Sequence, residues 1–324
     1  MPVHNSSGTL DLVIPSVQCE LGPEDRLLAV DDRSSDDSRS VLERLGVQTA
    51  ASTGKPGAAG TRNTGGMAAL TDWILFLDSD AVPEPGWRNR LGAEMEKSDA
   101  VQAVYGPEAP GKGAATFYKN YYYHHTFTRR IRGPYIKGCG TFFFAVRARV
   151  FRELGGFDEN IAGATIEDAD FSERLWTHGG RILIAPAIRV YHLREYTLTE
   201  FFRYEWNMMR AKALYILRRN PERGAPSISV AGFSEMFPVL GGALFSWFAV
   251  VCGILWASGV NWAANWFFLC LVILAGLQLP LFFHMTRAGG FRGLRACLLV
   301  VPDLLLIAPA SISAVFSAIR GRRY

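Results

Sequence analysis

The stretch "ILFLDSDAVPEPGW", residues 74–87, decides how this chain folds. An apolar run enters Asp78-Ser79-Asp80, and the chain then breaks on Pro83, Pro85 and Gly86. Such a run, extended back to Trp73 and closed by turn residues, predicts a buried strand. Two carboxylates just past a strand end have three uses: a solvated turn, a helix cap, or oxygen ligands for a hard divalent cation. D-x-D is common, so on these residues alone a turn is favoured. The neighbouring sequence changes that weighting.

Upstream, "SGTLDLVIPSVQCEL" predicts a helix capped by Ser6 or Ser7, with Pro15 as its weak point. "RLLAV" (26–30) predicts a strand ending on Asp31-Asp32, and "SDDSRSVLERLG" a helix stopped by Gly46. Strands alternating with helices predict an α/β fold with a parallel sheet, whose ligands gather at the carboxyl ends of the strands. Asp31, Asp32, Asp78 and Asp80 all fall at such ends, although Asp and Ser after a strand often just cap a helix. "GKPGAAGTRNTGG" (54–66) reads as a glycine-rich loop whose Lys55 and Arg62 suit a diphosphate. It lacks the GK[ST] of a phosphate loop, and a plain flexible loop explains it equally well.

Downstream, "GCGTFFFAVRARVFRELGGFDE" (138–159) places Gly138 and Gly140 where backbone can approach a ligand, then a short helix closed by Gly155-Gly156. A helix cap explains those glycines but not the acidic pair that follows, Asp158-Glu159. "GATIEDADFSERLWTHGG" (163–180) sets Glu167, Asp168 and Asp170 at a helix start, with Phe171, Leu175 and Trp176 as the buried side. Thr165 and Asp168 also fit a capping box. A helix N-terminus stabilises an ionised carboxylate, which is what a general base requires. "RILIAPAIRVYH" (181–192) reads as a strand, a proline break and a second strand ending on His192, a candidate third metal ligand.

Composition divides the 324 residues unevenly. Charge and glycine are mixed up to about Asn220, whereas the text from Met236 onward is nearly uncharged. "MFPVLGGALFSWFAVVCGILWA" (236–257) and "WAANWFFLCLVILAGLQLPLFFH" (262–284) are long enough to cross a bilayer, with Trp near their ends. A third stretch, about Leu294 to Ile319, holds Pro302, Asp303 and Pro309 and reads as kinked, re-entrant or spanning. Arg218, Arg219 and Arg223, and again Arg287, Arg292 and Arg295, put both flanks of the first two spans inside. A third crossing would carry Arg320, Arg322 and Arg323 outside, against that rule. "TLTEFFRYEWNMMRAKALYILRRN" (197–220) predicts an amphipathic helix, either interfacial or soluble. The net charge of +4 carries no nucleic-acid signal. The five cysteines lack metal-pair spacing and predict reduced thiols. Reduced thiols and the arginine flanks place the globular part in the cytoplasm as an expectation, and no secretory signal is read at Met1 to Asn5. The domain plan is 1–195 for the globular part, 196–225 for a linker helix and 236–319 for a membrane part.

In order, "PVHN", "VDDRSSDD", "GTRNTGG", "FLDSD", "GGFDE", "EDADFSERL" and "RVYH" resemble family 2 glycosyltransferases of the GT-A fold, over about residues 2 to 215. The resemblance implies a Rossmann-like nucleotide-sugar domain, followed here by C-terminal transmembrane helices. It implies inversion at the anomeric carbon and Mn²⁺ or Mg²⁺ as cofactor. Pro2, His4 and Asn5 would line the base pocket, and Asp31 and Asp32 would hold base and ribose. Arg62 would reach the nucleotide, Asp78 would meet the ribose or the metal, and Asp80 would ligate the metal with His192. Gly138 to Thr141, with Gly140 among them, would support the sugar and acceptor. Asp168, paired with Glu167, would be the catalytic base.

Two departures accompany the resemblance. The apolar first strand that precedes "PxxN" in the family is almost absent. The Q-x-x-R-W stretch of processive synthases is replaced by "FFRYEWN", with Phe202 and Glu205 where Gln and Arg would be. That argues against a polymerising synthase. The expected reaction is transfer from a nucleotide-diphosphate sugar to a hydroxyl on a glycan or lipid-linked glycan at the cytoplasmic membrane face, because a hydroxyl needs a base and a lipid phosphate does not. Membrane lipids, and no nucleic acid, are the other expected contacts. A polyprenyl-phosphate sugar synthase is the alternative. A sugar nucleotidyltransferase is disfavoured, since "GAAGTR" follows the second strand rather than the first. A binding module with a degraded site is disfavoured by the intact D-x-D and Glu-Asp pair.

Overall fold

The computed structural model describes residues 1–161, 166–218 and 233–320. Thr165 of the expected capping box lies outside the described residues, as do Arg219, Arg223, Arg322 and Arg323 of the charge argument. The side chain of Arg218 lies outside them too.

The amino-terminal part builds a small parallel sheet from β1 (Pro2–Val3), β2 (Leu28–Asp31) and β3 (Gln48–Ala51), in that order. Between them run α1 (Ser7–Gln18) and α2 (Ser38–Arg44). Leu10, Val13, Ile14 and Val17 recur at helical spacing and bury one face of α1. β1 is a stub, as its sequence suggested, yet it pairs in register, Pro2 with Val30 and Val3 with Asp31.

The larger sheet runs in the order β4 (Trp73–Leu77), β8 (Phe143–Arg147), β6 (Ala100–Tyr105), β9 (Ile182–His192), β5 (Ala81–Pro83), and β7 (Tyr135–Ile136) pairs with β9. It is mixed rather than parallel: only β6 and β9 run together. β9 was expected as two strands split by Pro186 and is one. The proline is absorbed where the β6–β9 register shifts from Ala103–Ala185 to Val104–Arg189, since a bulge tolerates a residue without an N–H. Phe76, Phe151, Phe157 and Phe171 close the core beneath this sheet, with ring centroids 4.8–5.7 Å apart in successive pairs.

The expected glycine-rich loop is mostly a helix, α3 (Ala58–Ala68), entered through Gly57 at φ 120°. Its glycines serve packing rather than flexibility. A Cβ on Gly60 would stand 2.2 Å from the Lys55 carbonyl oxygen, and one on Gly66 would stand 2.5 Å from the Phe151 ring. Asp158-Glu159 is explained here as well: Glu159 accepts from the Lys55 N–H at 2.8 Å and from Asn63 at 2.8 Å, and so fastens the entrance of α3. The remaining helices of this part are α4 (Trp87–Met95), α5 (Ala114–His125), α6 (Ala148–Glu153) and α7 (Glu167–Thr177).

α8 (Leu198–Arg218) leads to α9 (Phe233–Ala257), α10 (Trp262–Cys297) and α11 (Val300–Ile319). The last three are long and apolar enough to cross a membrane. α10 outruns its expected end at residue 284 and bends at Gly290 (φ 52°). Past that bend the chain returns to the amino-terminal part: Arg292 donates to the carbonyls of Ala109 and Gly111 and lies 4.6 Å over the Phe117 ring of α5. α11 packs along α8, and Tyr118 of α5 donates to Asp303 of α11 at 2.7 Å.

Two glycine variants test this packing. Gly60→Ala should lower stability by about 1–3 kcal/mol, because backbone atoms cannot yield to the added methyl. Gly8→Ala, whose Cβ meets nothing within 4 Å, should gain up to about 1 kcal/mol from reduced unfolded-state freedom within α1. Thermal melts of the purified chain measure both.

Candidate active site

Arg62 organises the site. It projects from α3 with 5% of its side chain exposed, and it donates to Asp78 at 2.8 Å and to Glu167 at 2.9 Å. Asp78 ends β4 and Glu167 opens α7, so one guanidinium joins three elements far apart in sequence. Burial works against its charge, but the Asp78 and Glu167 carboxylates hold its pKa above the ordinary value. Sequence reasoning gave Arg62 to the nucleotide from a loop. The structure instead sets it in a helix, engaged with the protein's own carboxylates.

Beyond Asp78, the antiparallel pairing of β5 with β9 sets Ala81 against His192. That register brings His192 Nε2 to 3.3 Å from Asp80 Oδ2. Burial raises the Asp80 pKa and the Asp78 charge adds to it, while His192 opposes. Among the described residues no three His, Cys, Asp or Glu side chains form a ready ligand group. Asp80 and His192, with the remaining Asp78 oxygen, offer donors suited to a Mn²⁺- or Mg²⁺-type ion whose shell is completed by ligand oxygens.

Asp168 follows Glu167 in the first turn of α7 and faces the cavity. Its pKa is pushed up to about 7, by burial first and then by the neighbouring Glu167 charge. The cavity floor beside it is 138–141. Gly140 N–H donates to Gln102 Oε1 at 2.7 Å, and Cys139 N–H donates to Ser172 Oγ at 2.9 Å. Gln102 and Ser172 are both fully buried. The floor is therefore fixed from β6 and α7.

Pro2, His4, Asn5, Asp31 and Asp32 gather as expected at the ends of β1 and β2, but on a face outside the cavity wall. His4 Nδ1 lies 2.7 Å from the Asp32 carbonyl oxygen, and Asn5 takes φ 49° to accept from Ser35 N–H at 2.8 Å. The carboxylates are engaged within the protein: Asp31 with Arg39 at 2.6 Å, Asp32 with Arg33 and with Gly57 N–H at 2.7 Å. Ser6 and Ser79 hydroxyls, 2.8 Å apart, join this face to the Asp78-Ser79-Asp80 turn.

The cavity itself encloses about 640 Å³ and runs from Asp78, Asp80 and His192 past Asp168 into the apolar helices. Sequence reasoning missed much of its lining. Arg194 stacks on Tyr196 just past His192, with the guanidinium 5.0 Å from the ring. Lys119 pairs with Glu205, and Lys212 and Asp303 lie deeper. The aromatic and basic text of α5 and the Glu205 departure were visible signals, but their meeting depends on helix packing that no local pattern encodes.

Residues 1–155 match the family model described as "Glycosyl transferase family 2". Among curated relatives, "Pre-mycofactocin glycosyltransferase" of Mycobacterium tuberculosis is 26% identical over 273 residues, covering 78% of this chain. This chain spans 52% of that relative's length. "Polypeptide N-acetylgalactosaminyltransferase 8" of Drosophila melanogaster is 28% identical over 160 residues, 44% of this chain and 27% of the relative. Among solved structures, the "Mannosyltransferase PcManGT from Pyrobaculum calidifontis in complex with GDP-Man and Mn2+" superposes with TM-score 0.63 at 16% identity, covering 96% of this chain and 85% of that one. The fold is therefore that of the GT-A glycosyltransferases, with three apolar helices appended.

Removing the central cation tests the site's construction. Arg62→Met leaves Asp78 and Glu167 in a poorly solvated pocket and should cost about 3–5 kcal/mol. Adding Glu167→Gln should recover part of the loss. Denaturant or thermal melts of the single and double variants give the coupling.

Proposed function

We propose, on the premise that residues 1–155 are a family 2 glycosyltransferase domain, that the protein transfers a sugar from a nucleotide-diphosphate donor to a hydroxyl acceptor with inversion, at the cytoplasmic membrane face. The observation that carries this reading is the neighbourhood of Asp168: a carboxylate with its pKa raised to about 7, facing a cavity shared with the Asp80–His192 pair. The nucleotide would lie on the face of Pro2, His4, Asn5, Asp31 and Asp32, which the Ser6–Ser79 contact joins to the Asp78 turn.

Asp80 and His192, with Asp78, would hold Mn²⁺ or Mg²⁺. When bound, such an ion neutralises the diphosphate leaving group. The chain's own residues do the rest. Arg194, beside Asp80, faces the diphosphate end of the cavity. Gly138 to Thr141, held by Gln102 and Ser172, form the floor on which sugar and acceptor meet. Asp168 takes the proton from the acceptor hydroxyl as that oxygen attacks the anomeric carbon opposite the leaving group. Glu167, tied to Arg62, stands next to Asp168 and raises its pKa, which strengthens it as a base. The return of α10 to the catalytic part through Arg292 and the packing of α11 along α8 support two crossings, with α11 lying at the membrane surface.

Asp168→Asn should lower turnover by about 10²–10⁴-fold while leaving the stabilisation by nucleotide and Mn²⁺ intact. Undiminished turnover would remove Asp168 from its role. The pH profile follows from the direction of the shift. The base works only when ionised, so kcat/KM should fall as pH drops through about 7, not through the ordinary carboxylate range near about 4. Initial rates between about pH 5 and 9 decide it.

A further inference from the structure

We propose that the inner half of the cavity is an acceptor chamber for a membrane-resident lipid with an uncharged, polyhydroxylated head group. This rests on the transfer reading above and adds the class of acceptor to it.

Asp303 is the first ground. It is the one ionisable residue of α11, it is 8% exposed, and it lines the cavity. Its Oδ2 accepts from Tyr118, whereas its Oδ1 has no hydrogen-bond partner. A buried carboxylate oxygen left without a donor is costly, and an ionisable residue in an apolar helix marks a functional position. A ligand hydroxyl entering the chamber supplies the missing donor.

Charge is the second ground. Among the described residues, four basic side chains and six carboxylates line the cavity. Lys119 and Glu205 cancel each other, and Arg62 is held between Asp78 and Glu167. Arg194 lies at the Asp80 end, where the donor's diphosphate belongs. Only Lys212 remains at depth, within the fields of both Asp168 and Asp303. No surplus cation is left for a second anion, so a lipid phosphate would enter against unbalanced carboxylates. A neutral head group meets no such opposition. It can donate to Asp303, accept from Lys212 and lay its ring faces on Tyr118, Tyr122 and Tyr123.

The third ground is the wall. Val239, Leu240, Leu281, Val300, Leu304 and Ile307 line the same cavity from α9, α10 and α11, the helices long and apolar enough to cross a membrane. An acyl or prenyl chain gains contact there, while a free sugar gains none.

The test uses the full chain in phosphatidylcholine nanodiscs and a dodecyl glucoside bearing a diazirine in its alkyl chain. Labelling should map to the cavity-facing residues of α9, α10 and α11. Dodecyl glucoside should compete, with methyl glucoside and dodecyl phosphate at least tenfold weaker. Asp303→Ala and Ile307→Trp should each weaken labelling at least tenfold, while the thermal shift produced by UDP or GDP with Mn²⁺ stays unchanged and shows the variants are folded. Equal or better competition by dodecyl phosphate or methyl glucoside, labelling away from this wall, or undiminished labelling of both variants overturns the chamber and leaves the transfer reading standing. Absence of any nucleotide–Mn²⁺ shift in the unmutated chain overturns both.

Discussion

One buried guanidinium holds the catalytic part together. Arg62 donates at once to Asp78 and Glu167, and with 5% of its side chain exposed it has little access to water. It is the shared partner of two carboxylates that belong to different elements. With it, the end of β4 and the start of α7 are fixed relative to each other, and so therefore are their neighbours Asp80 and Asp168. The Arg62 position depends in turn on α3 packing tightly through Gly60 and Gly66, which explains the glycines there better than loop flexibility does.

This arrangement separates two neighbouring acids by environment. Glu167 is paired with the Arg62 cation at 2.9 Å. Asp168, one residue on, has Glu167 beside it and no ion pair of its own among the described residues, so its proton is held up to about pH 7. The Glu-Asp dipeptide in the sequence thus contains an ion-paired anchor and a cavity-facing carboxyl of raised pKa. Which is which follows from the reach of Arg62, not from the dipeptide.

The legibility of the sequence follows that division. Strand ends and helix starts are local: "WILFL" and the helix over "EDADFSERL" could be read because apolar runs, turn residues and helical spacing carry them. The Asp80–His192 pairing was approachable because Asp80 follows an apolar strand and His192 ends one, though the register that sets Ala81 against His192 is a property of the sheet. The Gly-rich segment misled because glycine composition does not distinguish a loop from a helix under close contact. The mixed sheet was not legible either, since the antiparallel pairing of β8 with β4 joins residues some seventy apart. Lys119 lies in the aromatic and basic text of α5, which was a visible signal, whereas Lys212 and Asp303 reach the cavity, and Gln102 its floor, only through tertiary packing.

The apolar helices act as part of the site wall, not merely as a tether. Contacts that bind them to the amino-terminal part include Tyr118 to Asp303, Arg292 over Phe117, and the backbone of Gly289 against that same ring, where a Cβ would stand 2.4 Å from Phe117. These act on α5, the helix that also supplies Lys119 to Glu205. Glu205 of α8 lines the cavity and the α5 lysine Lys119 pairs with it, which joins α5 to α8 without leaving a free charge from either residue. A pocket whose inner wall is built this way admits a ligand by shape and hydroxyl donors rather than by attraction to charge.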